Sequence, residues 1–222
     1  MENISRRHLL LSSVTLGALA VTHSAFGQTI ADLCGLTPKQ TEGPFYPVKD
    51  QADKDNDLTI IRGASAVAKG QITYLSGIVS DENCAPIRNA VVEIWQACAS
   101  GRYNHPGDTS GNPLDHDFQY WGKSTTDAKG KYDFKTITPG HYLAEPTWMR
   151  PPHIHFKIHA KGFPTLTTQM YFAGNKYNET DLILNEIAAG DRDRVIVDFK
   201  SVNNPQEPDA QKGLFDITLK RV

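Results

Sequence analysis

The sequence predicts an all-β protein: a β-sandwich of two mixed or antiparallel sheets, with long irregular loops. Three observations carry this prediction. Seven short segments are rich in β-branched and aromatic residues, turn signals separate them, and no long amphipathic stretch competes as helix. The segments are YLSGIVS at 74–80, AVVEIWQA at 90–97, KYDFKTI at 131–137, HIHFKIHA at 153–160, TTQMYFA at 167–173, RVIVDFK from Arg194, and LFDITLK at 214–220.

The chain opens differently. Arg6 and Arg7 precede an apolar stretch from Leu9 to Val21, and Ala25-Phe26-Gly27 then offers small residues for cleavage. This order predicts a twin-arginine export signal over residues 1–27, a mature chain starting near Gln28, and a periplasmic destination without a stable membrane anchor. The apolar run is too short to span a bilayer comfortably. Residues 28–222 then form one domain, and 39% hydrophobic residues suffice for one sizeable core. With 23 basic against 25 acidic side chains there is no electrostatic footprint for nucleic acid.

Cysteine usage narrows the class further. Cys34, Cys84 and Cys98 are an odd number, so at most one internal disulfide forms, and which pair makes it stays open. No CxxC is present, which removes the main support for a zinc ribbon or a thioredoxin-like redox site. Turns are expected at DENCAP, TDAKGKY and TPGHY, and DLILNEIAAG is the sole helical candidate. The segment from Ser100 to Trp121 reads as a long irregular loop, of a length that is usually functional.

The stretch RPPHIHF carries the first chemical signal. Read as a strand, HIHFKIHA puts His153, His155, Lys157 and His159 on one face and Ile154, Phe156, Ile158 and Ala160 on the other. The apolar face belongs to the core, so the histidines look away from it. Pro151 and Pro152 stiffen the entry. Side chains at i and i+2 are roughly 6–7 Å apart at Cα, close enough to converge on one ion. A lone His-x-His reads more simply as polar positions on a wet face, so further donors are required. Tyr103 in GRYNHP and Tyr142 in TPGHY are candidates, and a phenol serves well only for an ion that strongly favours phenolate, such as ferric iron.

Together these motifs resemble the intradiol ring-cleaving catechol dioxygenases, particularly the protocatechuate 3,4-dioxygenase branch. The resemblance rests on QTEGPFYP at 40–47, NAVVEIWQA with GRYNHP, TTDAKGKYDFKTITPGHY, RPPHIHF, TTQMYF and LFDITL, in that order along nearly all the mature chain. It implies that Tyr103, Tyr142, His153 and His155 ligate a non-haem Fe(III). Arg150 and Gln169 then stand beside the substrate, and Tyr142 doubles as a catalytic residue by accepting a substrate proton. The implied reaction cleaves a catechol-type ring between its two hydroxyl-bearing carbons with O2, giving a muconate-type diacid. Two features depart from the branch: the segment between Tyr142 and Arg150 is short, and an export signal is unusual.

Two other readings compete. A β-sandwich ligand-binding module shares the strand count but has no need of this tyrosine and histidine set. A zinc or copper hydrolase would use the histidine pair without the tyrosines. His159 lies roughly 13 Å from His155 by strand rise and reads as a surface residue. His105, His116 and His141 read as loop polar residues, and Asp115 and Asp117 as a solvated turn. Partners reduce to the catechol-type substrate and O2, and a homo-oligomer is compatible with these residues.

Overall fold

The computed structural model describes residues 34–222, so the export signal expected over 1–27 lies outside the described residues. In chain order the sandwich strands are β1 (Ile72–Asp81), β2 (Val91–Trp95), β3 (Trp121–Thr125) and β4 (Lys131–Ile137). A hairpin, β5 (Tyr142–Glu145) and β6 (Trp148–Arg150), intervenes. The remainder are β7 (His153–His159), β8 (Leu166–Phe172), β9 (Ile196–Val197), β10 (Lys200–Ser201), β11 (Gln211–Leu214) and β12 (Ile217–Leu219).

The expected sandwich is present. In the first sheet β1 pairs antiparallel with β4 on one edge and parallel with β11 and then β12 on the other, while β10 flanks β11. The second sheet runs β3-β2-β7-β8-β9, antiparallel except at β9. Leu75, Val79, Phe134 and Ile217 from the first sheet meet Val92, Ile94, Ile154, Phe156, Ile158 and Met170 from the second in one core, each at most 2% exposed. Alternation puts these residues on one face of each strand.

Four local expectations need correction. LFDITLK is two strands, because Phe215 N–H bonds Ser76 O and Asp216 Oδ1 accepts Ile78 N–H at a break in the ladder. RVIVDFK shrinks to β9 and β10, because the chain leaves the second sheet there and crosses to the first. DLILNEIAAG holds the short helix α1 (Leu182–Asn185) and the first residues of a 3-10 turn that starts at Ala189, not one continuous helix. WGKST, polar and glycine-containing, lacked strand signals yet forms β3 by pairing along the whole of β2.

The face of β7 opposite the core is not wet. His153 and His155 are each 2% exposed. A second cluster of Trp95, Ala97, Tyr103 and Trp121, with Phe45, Tyr46 and Tyr142 packed against it, covers that side of the sheet. Loops and the N-terminal segment thus add a third layer, and the histidines lie beneath it.

Candidate metal centre

Strand pairing places the site in rows. Trp95 of β2, His155 of β7 and Gln169 of β8 are successive cross-strand neighbours, and His153 pairs with Tyr171. The His153 and His155 rings are 4.9 Å apart at their centroids. Trp95 stacks on His155 at 4.8 Å and 12°, which fixes the plane of that imidazole.

The two tyrosines arrive from loops that are far apart in sequence. Gly101, with φ +82°, and Gly140 let the GRY and PGHY turns pack backbone on backbone. A Cβ on Gly101 would stand 2.3 Å from the His141 carbonyl oxygen, and one on Gly140 would stand 2.4 Å from the Gly101 nitrogen. Both Gly101 N–H and Gly140 N–H donate to the Cys98 carbonyl. Asp108 Oδ2 accepts Tyr103 N–H at 2.7 Å and holds the loop in register. The Tyr103 and Tyr142 rings therefore meet edge to face at 5.7 Å. Tyr142 also tilts against His153 at 5.8 Å.

The structure thus brings together all four sequence-predicted ligands. His153 Nδ1 lies 2.7 Å from the Pro151 carbonyl, which can only accept, so Nδ1 carries the proton and Nε2 presents a lone pair. That Nε2 is 3.3 Å from the Tyr103 hydroxyl. His155 Nδ1 is buried with no hydrogen-bond partner. Burial and then the Arg150 charge hold both imidazoles well below their ordinary pKa, so both are neutral. Burial pushes Tyr103 well above the ordinary phenol value, with Tyr142 reinforcing and Arg150 opposing. Tyr142 is raised by burial too, against the pull of Arg150.

Arg150 ends β6 opposite Tyr142 and is 3% exposed. Its Nε–H donates to Asp181 Oδ2 at 2.8 Å, and its Nη2–H donates to Gln169 Oε1 at 2.7 Å and reaches the Tyr171 hydroxyl at 3.4 Å. Gln169 Nε2–H donates to the Thr41 carbonyl. Arg150 and Gln169, predicted separately, are thus direct partners.

Several residues here escaped the sequence reading. Asp181 is fully buried, yet its only sequence signal is an acidic residue before an apolar run, the pattern of a helix cap. Gln40, inside the quoted QTEGPFYP, donates to Tyr171 Oη and accepts Gln169 N–H. Phe45 stacks on Tyr103 at 4.6 Å. Glu93 is 5% exposed beneath Tyr46 and Trp121, whose hydroxyl and indole N–H both donate to it. Asp115 is no solvated turn: it is buried and accepts the backbone N–H groups of Lys69 and Asp117. His159 is exposed as expected and sits 3.5 Å from Glu93. Cys34 and Cys84 form the disulfide, while Cys98 is free and buried.

A cation fits this donor set. Among the described residues no three His, Cys, Asp or Glu side chains cluster as metal ligands, so a centre here must include phenols. Two neutral imidazoles with one buried and one partly buried phenol suit a hard, highly charged ion that ionises the phenols as it binds.

Comparison with known proteins agrees with the fold. Residues 41–221 match the family described as Dioxygenase. The protocatechuate 3,4-dioxygenase beta chain of Burkholderia cepacia is 39% identical over 180 residues, covering 80% of this chain and 76% of that one. A chlorocatechol 1,2-dioxygenase of Pseudomonas sp. strain P51 is 30% identical over 183 residues, covering 70% of this chain but only 65% of the longer relative. Among solved structures, the dioxygenase domain of a carbohydrate-binding fusion from Streptomyces sp. SirexAA-E superposes with a TM-score of 0.63 at 28% identity, covering 85% of this chain and all of that one.

A β-sandwich with this coverage and these neighbours is a dioxygenase by class. Within that class the chain belongs to the intradiol ring-cleaving family, on the side of its protocatechuate 3,4-dioxygenase-like members.

Proposed function

We propose that Tyr103, Tyr142, His153 and His155 hold a non-haem ferric ion, and that the chain uses it to cleave a catechol-type ring with O2. The observation that carries this reading is the convergence of two neutral imidazoles, one buried phenol and one partly buried phenol, without a carboxylate among them. When bound, ferric iron supplies the Lewis acidity that ionises phenols and catechol hydroxyls at neutral pH. Both atoms of O2 end in the diacid product, so no external reductant is needed.

The protein's own groups supply orientation and proton handling. His153, locked by the Pro151 carbonyl, and His155, clamped by Trp95, are fixed before any ion arrives. Tyr142 is less buried than Tyr103 and faces Arg150; ionised beside a bound ion, its phenolate would be the group that receives a substrate proton. Arg150, held through Nε and Nη2, keeps its positive charge beside Tyr142, where a substrate anion would lie. Preorganised charge of this kind stabilises negative charge as it develops.

We also infer export through the twin-arginine signal. The Cys34–Cys84 disulfide supports an oxidising destination, since such bonds are rare in the cytosol. Subcellular fractionation, with mass determination of the mature N-terminus, tests it. The test of function is iron-loaded protein offered catechol, protocatechuate and hydroxyquinol, with oxygen uptake and product absorbance followed together. A visible tyrosinate-to-iron band with uptake on one of them is expected. A colourless protein that consumes no oxygen with any of the three would overturn the reading.

A further inference from the structure

Asp181 is fully buried, and both of its oxygens are engaged. Oδ2 accepts Arg150 Nε–H at 2.8 Å, and Oδ1 accepts Leu184 N–H at 2.8 Å as the cap of α1. The carboxylate is thus pinned from one side by backbone and presented on the other to one edge of the guanidinium. A guanidinium is planar, so two anchors determine its plane and direction. Asp181 on Nε and Gln169 on Nη2 are two such anchors, with the Tyr171 hydroxyl beside them. The Tyr171 hydroxyl is itself donated to by Gln40.

We propose that Asp181 is a positioning residue for ring cleavage: it aims the Arg150 guanidinium and offsets its charge beside the Tyr142 phenol. This rests on the proposed function of the same site. Two consequences follow from the geometry. Releasing Nε lets the guanidinium rotate about its Gln169 anchor, so its charge is no longer held at a fixed place beside Tyr142. Removing the countercharge leaves a full positive charge near Tyr142, which stabilises a tyrosinate and shifts its charge-transfer absorption to shorter wavelength.

A cap alone would also explain a buried Asp at this position, so the test must separate capping from aiming. Asp181→Ser does so, because serine caps a helix about as well as aspartate but is too short to reach Nε. Parent, Asp181→Ser, Arg150→Met and the double variant are loaded with iron. Each is measured for iron content, thermal midpoint, visible spectrum, and kcat and KM on the parent's best catechol. The positioning role predicts that Asp181→Ser lowers kcat about tenfold to a hundredfold at nearly parental iron content, moves the visible band to shorter wavelength, and has no further effect on kcat in the Arg150→Met background. Should Asp181→Ser fail to fold, Asp181→Asn carries the same comparison. Its amide offers one acceptor where two donors wait, so it cannot serve the cap and Arg150 together.

Parental kcat and an unshifted band in a folded Asp181 variant would overturn the positioning role while leaving the proposed function intact. Additive losses in the double variant would also overturn it, since Asp181 would then act independently of Arg150. An inactive, colourless parent would overturn the proposed function itself.

Discussion

At the scale of single residues, the site depends on groups whose pKa values are set by burial and whose directions are set by one or two contacts each. His153 is the clearest case: losing its imidazole removes the nitrogen that the Pro151 carbonyl holds in place. His153→Ala is expected to retain less than about a tenth of parental iron after dialysis, since the loss of a ligand costs more than the 10–100-fold typical of an outer partner. Metal analysis of the folded variant checks this. Tyr103→Phe and Tyr142→Phe should each weaken or shift the visible band, and an unchanged spectrum in both would remove the tyrosines from the centre. Arg150 uses Nε and Nη2 on different partners, a division that a lysine ammonium cannot reproduce. Arg150→Ala should lower turnover per iron by roughly 10²–10³-fold, with lysine recovering part of it. Alanine also strands the Asp181 carboxylate, at a cost of about 3–5 kcal/mol in unfolding free energy. Single-turnover cleavage and urea unfolding on the same preparations separate the two effects.

At the scale of elements, the segment from Cys34 to Tyr46 behaves as a strap. It is tied at Cys84 by the disulfide and at Thr218 by backbone hydrogen bonding from Thr37. It then runs across the site through Gln40, Thr41 and Phe45. Opening the 50-residue separation by Cys34→Ser should cost about 4 kcal/mol on the loop-entropy estimate, which lowers the thermal midpoint by roughly 8–16 °C. Calorimetry with and without reductant checks it, because reduction of the parent should reproduce the variant. The turn that carries Cys84 is organised by Asp81, whose Oδ1 accepts the N–H groups of Asn83 and Ala85 and whose Oδ2 meets Arg221. Burial opposes its ionisation, but those donors outweigh burial and hold its pKa below 3.8. A depressed carboxylate stabilises the fold above its unfolded pKa and loses that contribution as pH falls through the folded value. Parent stability should therefore decline below about pH 5 more steeply than that of Asp81→Asn, with the loss continuing down through the folded pKa, and the difference between the two should be constant from about pH 5 to neutrality. Urea unfolding across that range measures both slopes.

At the scale of the whole molecule, β7 serves the core and the proposed metal centre from its two faces. Phe156, fully buried, packs edge to face against Tyr132 and Phe215 of the opposite sheet. Phe156→Ala should cost about 3–5 kcal/mol through the lost burial and the cavity left behind. Iron bound per folded molecule should stay parental, because the neighbouring His155 points to the other side of the sheet. Chemical unfolding paired with iron analysis of the native fraction tests the separation of faces. Loss of iron in a folded Phe156→Ala would show that core packing and ligand geometry are coupled through the strand.

Much of this was legible from residues alone, for definite reasons. Strands of period two, such as HIHFKIHA and KYDFKTI, announce themselves because alternation follows from the pleat, and the types of the four donors follow from what a phenol and an imidazole can bind. The sequence by itself thus determined the sandwich class, the strand that carries both histidines and the donor chemistry. It did not disclose that the histidine face is covered, because the cover comes from Phe45, Tyr103 and Tyr142, which are remote in the chain. Nor did it disclose β3, whose WGKST has no strand character until β2 pairs with it. Asp181 and Gln40 were invisible for the same reason: their meaning lies in contacts 31 residues away to Arg150 and 131 residues away to Tyr171. Tertiary structure decided which cysteines pair, what covers the histidine face of β7 and which groups hold the Arg150 guanidinium. Such contacts depend on three-dimensional proximity, and local periodicity carries no record of it.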